Sequence, residues 1–332
     1  MTELNHNGMG VKLMKIVLLD GYHLNRDLNW DAVRALGECT FYDRTQPDDN
    51  QQILARIGDA EIVITHKTPI QDSVISQVPN LKYIGVMGTG YDAVDIASAK
   101  QHQVTVTTVP NYSTDAVAQY AISLLLEVTG QVGLHNQVVH DGKWATIADF
   151  TFWEKPLIEL KGKTIGMIGY GRIAQQVAKI AHAFAMNVIF YNHRPKNVTD
   201  DWAHQVSFDE LLQQADIISL HVPQTPETIN LINQASIAKM KDGVIVINTA
   251  RGTLIDESAM AAALNEDKVR ALATDVVATE PIDPQNPLLT AKNCFITPHI
   301  AWAPLETRER LLDIITENIQ AFIAGKPINQ VN

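Results

Sequence analysis

The sequence predicts an α/β protein made of two doubly wound parallel-sheet domains. Three observations predict it. Short apolar runs alternate with helix-length amphipathic stretches, the pattern of βαβ units and a parallel sheet. The pattern occurs in two series, one from Lys15 to Val109 and one from Thr164 to Thr297. A chain of 332 residues is long for one core and sufficient for two.

In the first series Lys15–Asp20, Glu61–Thr65, Leu81–Val86 and Val104–Val109 read as strands. Helical patterns lie near Trp30–Leu36, Gln51–Ile57, Asp72–Ser76 and Asp92–Gln101. In the second series the strands are Thr164–Ile168, Asn187–Tyr191, Asp216–Leu220, Val244–Asn248, Ala271–Val276 and Cys294–Thr297. Ile173, Val177, Ile180, Ala181 and Phe184 recur at helical spacing, so a helix follows the first of these. Ser207 and Glu210 make a capping box ahead of Leu211 and Leu212. Two further helices are expected. Ser113–Val128 aligns Val117, Ala121, Leu124 and Val128, and Pro304–Ala324 aligns Leu311, Ile315, Ile319 and Phe322 before Gly325 and Pro327 end it. Asp141–Leu160 is rich in Trp and Phe and has little periodicity. It reads as an arm that another surface must cover.

Composition narrows the function classes. Hydrophobic residues are 46% and charged residues 19%, which supplies sizeable cores. The net charge of −11 repels phosphate backbones, so no nucleic-acid partner is expected, although a local basic pocket for an anionic metabolite remains compatible with it. Cys39 and Cys294 form neither a disulfide framework nor a zinc spacing, which suits a reducing cytosol, and no metal is expected. Residues 1–13 are polar and lack the apolar core of a secretory signal. No apolar run approaches bilayer length, so no membrane partner is expected.

Gly169-Tyr170-Gly171-Arg172-Ile173-Ala174 follows a strand and opens a helix. This is G-x-G-x-x-A, a dinucleotide-binding turn: Gly169 permits the bend, Gly171 admits a pyrophosphate, and Ala174 is small enough for helix–strand packing. The second strand then leads to Tyr191-Asn192-His193-Arg194-Pro195-Lys196, where the usual ribose-binding acid is missing. Asn192 removes the carboxylate that would repel a 2′-phosphate, and Arg194, with His193 or Lys196, offers it a cation. NADP is therefore expected at least alongside NAD; the competing reading is a set of solvated loop charges.

Three segments lie at the expected C-terminal ends of late strands, where open α/β sheets place their sites. They carry Arg251, Glu280 and His299. Arg offers a planar fork to a carboxylate, His a proton to a carbonyl oxygen, and Glu an anion that orients the His. Singly each has a bland reading, as a helix-end cation, a surface acid and a loop histidine.

Order and spacing decide otherwise. "GTGYDAVD" at Gly88–Asp95, "VPNYSTDAVAQYA" at Val109–Ala121, "GMIGYGRIA" at Gly166–Ala174, "SLHVPQTPET" at Ser219–Thr228, "VINTARGTLIDE" at Val246–Glu257, "ATDVVATEP" at Ala273–Pro281 and "ITPHIAW" at Ile296–Trp302 resemble the D-isomer-specific 2-hydroxyacid dehydrogenase family over nearly the whole chain. Within that family "DFTFWEKPLIEL" at Asp149–Leu160 is most similar to the glycerate dehydrogenase/hydroxypyruvate reductase branch. The resemblance implies Arg251, Glu280 and His299 as the catalytic set, and Thr89, Gly90, Arg251 and His299 as substrate contacts. It implies cofactor contacts from Thr114, Gly169, Gly171, Arg172, Ile173, Asn192, His193, Arg194, His221, Val222, Pro223, Thr228, Asn248, Thr249, Ala250, Asp275, His299 and Ala301, with Asp275 near the carboxamide. Ala174 and Asn192 depart from the family's usual Gly and Asp.

The implied layout is discontinuous. Residues 1–109 and 303–332 would form a flavodoxin-like substrate domain, and a Rossmann cofactor domain at 110–302 would be inserted into it. Hinges would lie near Val109–Tyr112 and Ile300–Pro304, closure would exclude water around the hydride, and the arm at 141–160 would join a homodimer. The implied reaction moves a hydride between NAD or NADP and a small 2-oxo/2-hydroxy acid, with hydroxypyruvate or glyoxylate leading. Phosphoglycerate dehydrogenase and a dinucleotide-sensing corepressor-like protein are the two other readings the sequence leaves open.

Overall fold

The computed structural model describes residues 13–25 and 27–332; the polar start, residues 1–12, lies outside the described residues. The chain divides into two compact units, one of residues up to Tyr112 joined by Pro304–Asn332, the other of Ser113–Ala303.

The first unit holds β1 (Met14–Leu18), β2 (Gly37–Phe41), β3 (Ile62–Thr65), β4 (Tyr83–Val86) and β5 (Thr105–Thr107). They form one parallel sheet in the order β2-β1-β3-β4-β5, the flavodoxin-like arrangement. The central strands read as unbroken apolar runs because both faces are covered, and every residue of β3 and β4 is buried. Helices Asn50–Ile57, Asp72–Ile75 and Ile96–Gln101 supply Ile53, Ile57, Val74, Ile75 and Ala99 to one core. The C-terminal helix Leu305–Ile323 buries Leu311, Ile315 and Ile319, and its Phe322 ring lies 4.8 Å from that of Tyr83.

One strand here was not expected, and one helix boundary needs correction. β2 has no apolar run to announce it: GECTF is an edge strand that opens on glycine and alternates half-buried with exposed residues. The helix expected over Asp92–Gln101 begins only at Ile96, because Asp95 is its cap and accepts from Ser98 N at 2.9 Å. Val94 is instead drawn into a parallel bridge with Ile70.

The second unit holds β6 (Thr164–Ile168), β7 (Asn187–Tyr191), β8 (Ala203–Gln205), β9 (Ile217–Leu220), β10 (Val244–Asn248), β11 (Val269–Thr274) and β12 (Cys294–Ile296). The parallel order is β12-β11-β10-β9-β6-β7-β8. The chain works outward from β6 to β8, returns to β9 and works outward the other way, so the switch point lies between β6 and β9. Helices Thr114–Gly130 and Arg172–Ala183 cover one face; Phe208–Gln214, Gln234–Lys239 and Glu257–Asn265 cover the other. The capping box forms as read: Glu210 N donates to Ser207 Oγ, and Ser207 N to Glu210 Oε2. β8 escaped the sequence reading because it is a three-residue edge strand, AHQ, with two exposed polar side chains. The arm follows helix Val132–His140 and contains the short helix Lys143–Thr146. Among the described residues no single helix is long and apolar enough to cross a membrane.

Candidate active site

The glycine turn sits where β6 meets the switch point. Gly169 has φ +89°, a region that L side chains rarely adopt. A Cβ there would stand 2.7 Å from the His221 carbonyl oxygen and 2.8 Å from Val222 Cγ1, so the loops after β6 and β9 approach each other only because this position is glycine. Gly171 caps helix Arg172–Ala183 without a side-chain hydrogen bond, and the space a Cβ would take there is open. Uncapped N–H groups beside open space suit an anionic diphosphate. Ala174 is fully buried, as its packing role requires. A dinucleotide therefore fits the residues present.

The loop after β7 is tied to this turn. Gln205 of β8 accepts from Lys196 N at 2.9 Å and donates to the Asn192 and Arg194 carbonyls. Asn192 Nδ2 also donates to the Arg194 carbonyl at 2.9 Å. Lys196 Nζ donates to the Tyr170 carbonyl, inside the glycine turn itself. His193 and Arg194 remain exposed. Of the cations named from sequence, Lys196 is the one bonded to the turn.

The other expected cofactor residues are disposed unevenly. Thr114 begins helix Thr114–Gly130. Thr228 Oγ1 donates to the Pro223 carbonyl at 2.8 Å and accepts from Thr225 N at 2.7 Å, so its hydroxyl closes the turn that follows β9. Asn248, wholly buried, accepts from Ala250 N and donates to the Arg251 carbonyl, and thereby shapes the loop beyond β10. Thr249 keeps a buried hydroxyl without a protein partner. Burial pushes the His221 imidazole down to about 4, and Ser219 Oγ lies 2.9 Å from its Nε2.

Arg251, Glu280 and His299 follow the ends of β10, β11 and β12, which are neighbours in the sheet. His299 Nδ1 meets Glu280 Oε2 at 2.6 Å, with each side chain about a third exposed. Arg251 donates Nη1 to the Ala250 carbonyl at 2.7 Å, using one of the guanidinium's N–H donors. His299 has φ +55°, a strained conformation for a residue with a Cβ, and something must hold it there. Asp275, wholly buried at the end of β11, does so. Its carboxylate accepts from Thr297 Oγ1 at 2.6 Å, Ile300 N at 2.9 Å and Ala301 N at 2.7 Å, while its carbonyl accepts from His299 N at 2.8 Å. Sequence reasoning placed Asp275 near a carboxamide and missed this loop-holding role; the signal available was an acid 24 residues before His299 at the end of the neighbouring strand. Thr89 and Gly90 belong to the other unit, exposed in the loop beyond β4, where Thr89 Oγ1 donates to the Val109 carbonyl at 2.8 Å.

This sheet order, with a glycine turn at its switch point, is that of a dinucleotide-binding domain. The model of the D-isomer specific 2-hydroxyacid dehydrogenase NAD-binding domain matches residues 122–301. A hydroxypyruvate reductase of Blautia hydrogenotrophica is 52% identical over 96% of this chain and 100% of its own length. A glycerate dehydrogenase of Methylorubrum extorquens is 37% identical over 96% of this chain and 98% of its own. Among solved structures, an acyclic imino acid reductase in complex with NADPH and D-Arg is 31% identical, covers 96% of this chain and 100% of its own, and superimposes with a TM-score of 0.83. The chain belongs to the D-isomer-specific 2-hydroxyacid dehydrogenase family.

Proposed function

We propose that this chain is an NAD(P)H-dependent reductase of a small 2-oxo acid, with hydroxypyruvate and glyoxylate as its substrates. The observation that carries the reading is the Glu280–His299 pair at 2.6 Å, on strand ends adjoining that of Arg251. In this reading the unit of residues 113–303 holds the cofactor, and the Thr89 and Gly90 amides are kept as substrate contacts on the strength of the family resemblance alone. The names carried by the two curated relatives support the substrate class.

A bound nicotinamide would supply the hydride. Arg251 binds the substrate carboxylate through its planar fork. His299, with Nδ1 engaged by Glu280, keeps Nε2 for the proton that passes to the carbonyl oxygen. The Glu280 carboxylate fixes the ring's orientation through Nδ1. Asp275 keeps the His299 loop in the conformation that aims the ring. Asn192, with Arg194 and Lys196 on its loop, supports acceptance of NADPH; the arm supports a homodimer; two free thiols suit a cytosolic protein.

The test is oxidation of NADPH and of NADH with glyoxylate, hydroxypyruvate, pyruvate and phosphohydroxypyruvate. Turnover with the first two, with NADPH accepted, is expected. Phosphohydroxypyruvate as the best substrate would replace the reading with the phosphoglycerate branch. No turnover with any 2-oxo acid would overturn it in favour of a dinucleotide-sensing protein.

A further inference from the structure

We infer that Glu257 is a positioning residue for Glu280 and, through it, for the His299 ring; the inference rests on the reading of those two residues given above. Glu280 lies within an irregular segment that runs from the end of β11 to the 3-10 turn Pro287–Thr290. No strand ladder or helix holds this segment, yet it presents a carboxylate to His299 at 2.6 Å. Inside it, Val277 N donates to Glu280 Oε1 at 3.3 Å and Asn286 N to the Asp283 carbonyl at 2.9 Å; contacts made to its flanks from other elements complete its shape.

Two neighbours make those contacts. Gly252, next to Arg251, packs against the start of the segment backbone to backbone. A Cβ there would stand 1.9 Å from Val277 C and 2.4 Å from Ala278 N, so no other residue permits the approach. Glu257 then ties both flanks with one carboxylate. Its Oε1 accepts from Ala278 N at 2.8 Å, before Glu280, and its Oε2 accepts from Asn286 Nδ2 at 2.9 Å, after it.

The polarity of this clamp is fixed. Asn286 is buried, and its Oδ1 already accepts from Leu288 N at 3.0 Å. Its amide group must therefore face Glu257 as a donor, and Ala278 N is a donor too. Both oxygens of residue 257 must accept, which an ionised carboxylate does and a carboxamide does not. Glu257 opens helix Glu257–Asn265, but Asp256 caps that helix through Ser258 N and Ala259 N. The two hydrogen bonds of the Glu257 side chain are thus made to the loop and not to its own helix end.

The test is a double-mutant cycle on the full chain. Glu257→Gln keeps the size and turns one acceptor into a donor aimed at a donor. Its kcat for hydroxypyruvate reduction should fall about five- to tenfold, while its Kd for NADPH, read by the cofactor's own fluorescence, changes less than about twofold. In a Glu280→Gln background the same substitution should cost less than about twofold in kcat, because the residue it acts through no longer carries the charge. Asn286→Ala releases the other flank and should show the same non-additivity, which keeps the cycle decisive if Glu257→Gln does not fold. A lowered kcat in Glu280→Gln, with an equal further loss from Glu257→Gln and Asn286→Ala in both backgrounds, would overturn this inference alone. An unchanged kcat in Glu280→Gln would overturn the reading of the site and this inference with it.

Discussion

Arg251 and Lys differ at this position in shape more than in charge. A carboxylate takes two parallel N–H donors, which a guanidinium offers and an ammonium does not. Arg251→Lys should lose ~2–5 kcal/mol of substrate stabilisation, seen as a collapse of kcat/KM for glyoxylate; a near-normal KM would remove Arg251 from the substrate site. The Glu280–His299 pair fixes the ring. Glu280→Gln removes the carboxylate 2.6 Å from Nδ1 that orients the imidazole, so kcat for hydroxypyruvate reduction should fall about tenfold or more. An unchanged kcat would show that the carboxylate does not position the ring. His221 acts on stability instead. Its folded value, about 4, lies below the ordinary 6.5, so between these values the unfolded chain holds a proton that the folded chain does not. Stability from this residue is fully present above pH 6.5 and is lost as pH falls toward 4, by at most about 3 kcal/mol at about 1.4 kcal/mol per pH unit. The melting temperature of wild type should therefore fall relative to that of His221→Gln as the buffer is acidified from pH 7 to 4; parallel curves would refute the assignment.

The elements that sequence disclosed are those with an apolar reason to exist. β1, β3, β4, β6, β7 and β9–β11 are largely buried, and their apolar runs announce them; the short edge strands β5 and β12 are announced by Val106 and by Phe295 with Ile296. β2 and β8 close the sheets at one edge each, satisfy ladders rather than cores, and carry Glu38, Thr40, His204 and Gln205 where a run would be. The glycine turn and the Arg, Glu and His positions were legible because local motifs contain them. The residues that hold those positions were not. Asp275, Glu257 and Gln205 each bond to chain that is distant in sequence and near only because the sheet order makes it so. The loop beyond β7 shows what this adds. Sequence offers Arg194 with His193 or Lys196 as phosphate ligands; the fold bonds Lys196 to the turn and leaves Arg194 exposed. Arg194→Ala should weaken NADPH about tenfold, less at high salt, and leave NADH nearly unaffected, because only NADPH carries the 2′-phosphate. Lys196→Ala also unties the glycine turn and should weaken both cofactors. Fluorescence titration of both cofactors decides it, and equal losses for the two in Arg194→Ala would show that Arg194 is not a phosphate ligand.

Across the whole molecule, the arm is the feature that one chain does not account for. It is ordered by its own contacts: Lys143 pairs with Glu154 at 2.5 Å, Glu154 N donates to His135 Nε2 at 3.1 Å, and Trp144 Nε1 donates to the Phe150 carbonyl at 3.2 Å. Arg270 and Lys155 fasten its far end, to Pro156 and Asn293. An arm folded back to hide its apolar side chains would be buried by this arrangement, and it is not. Phe150 is 87% exposed, Trp153 64%, Leu157 55% and Trp144 52%. Helix Val132–His140, against which the arm is bonded, buries none of its own residues and exposes Val132, Leu134 and Val139. Side chains of this size confer about 25 cal/mol per Å² when covered, and a monomer rarely leaves so many of them together in water. A symmetric pair covers the same patch twice with one interface, so the expected state is a homodimer. Light scattering at micromolar concentration should give twice the 36.7 kDa of one chain. Phe150→Glu with Trp153→Glu should give a monomer, since neither side chain is part of a core whose loss would unfold the chain. A wild-type particle of 36.7 kDa would eliminate the dimer, and a dimer that survives the double substitution would move the interface away from the arm.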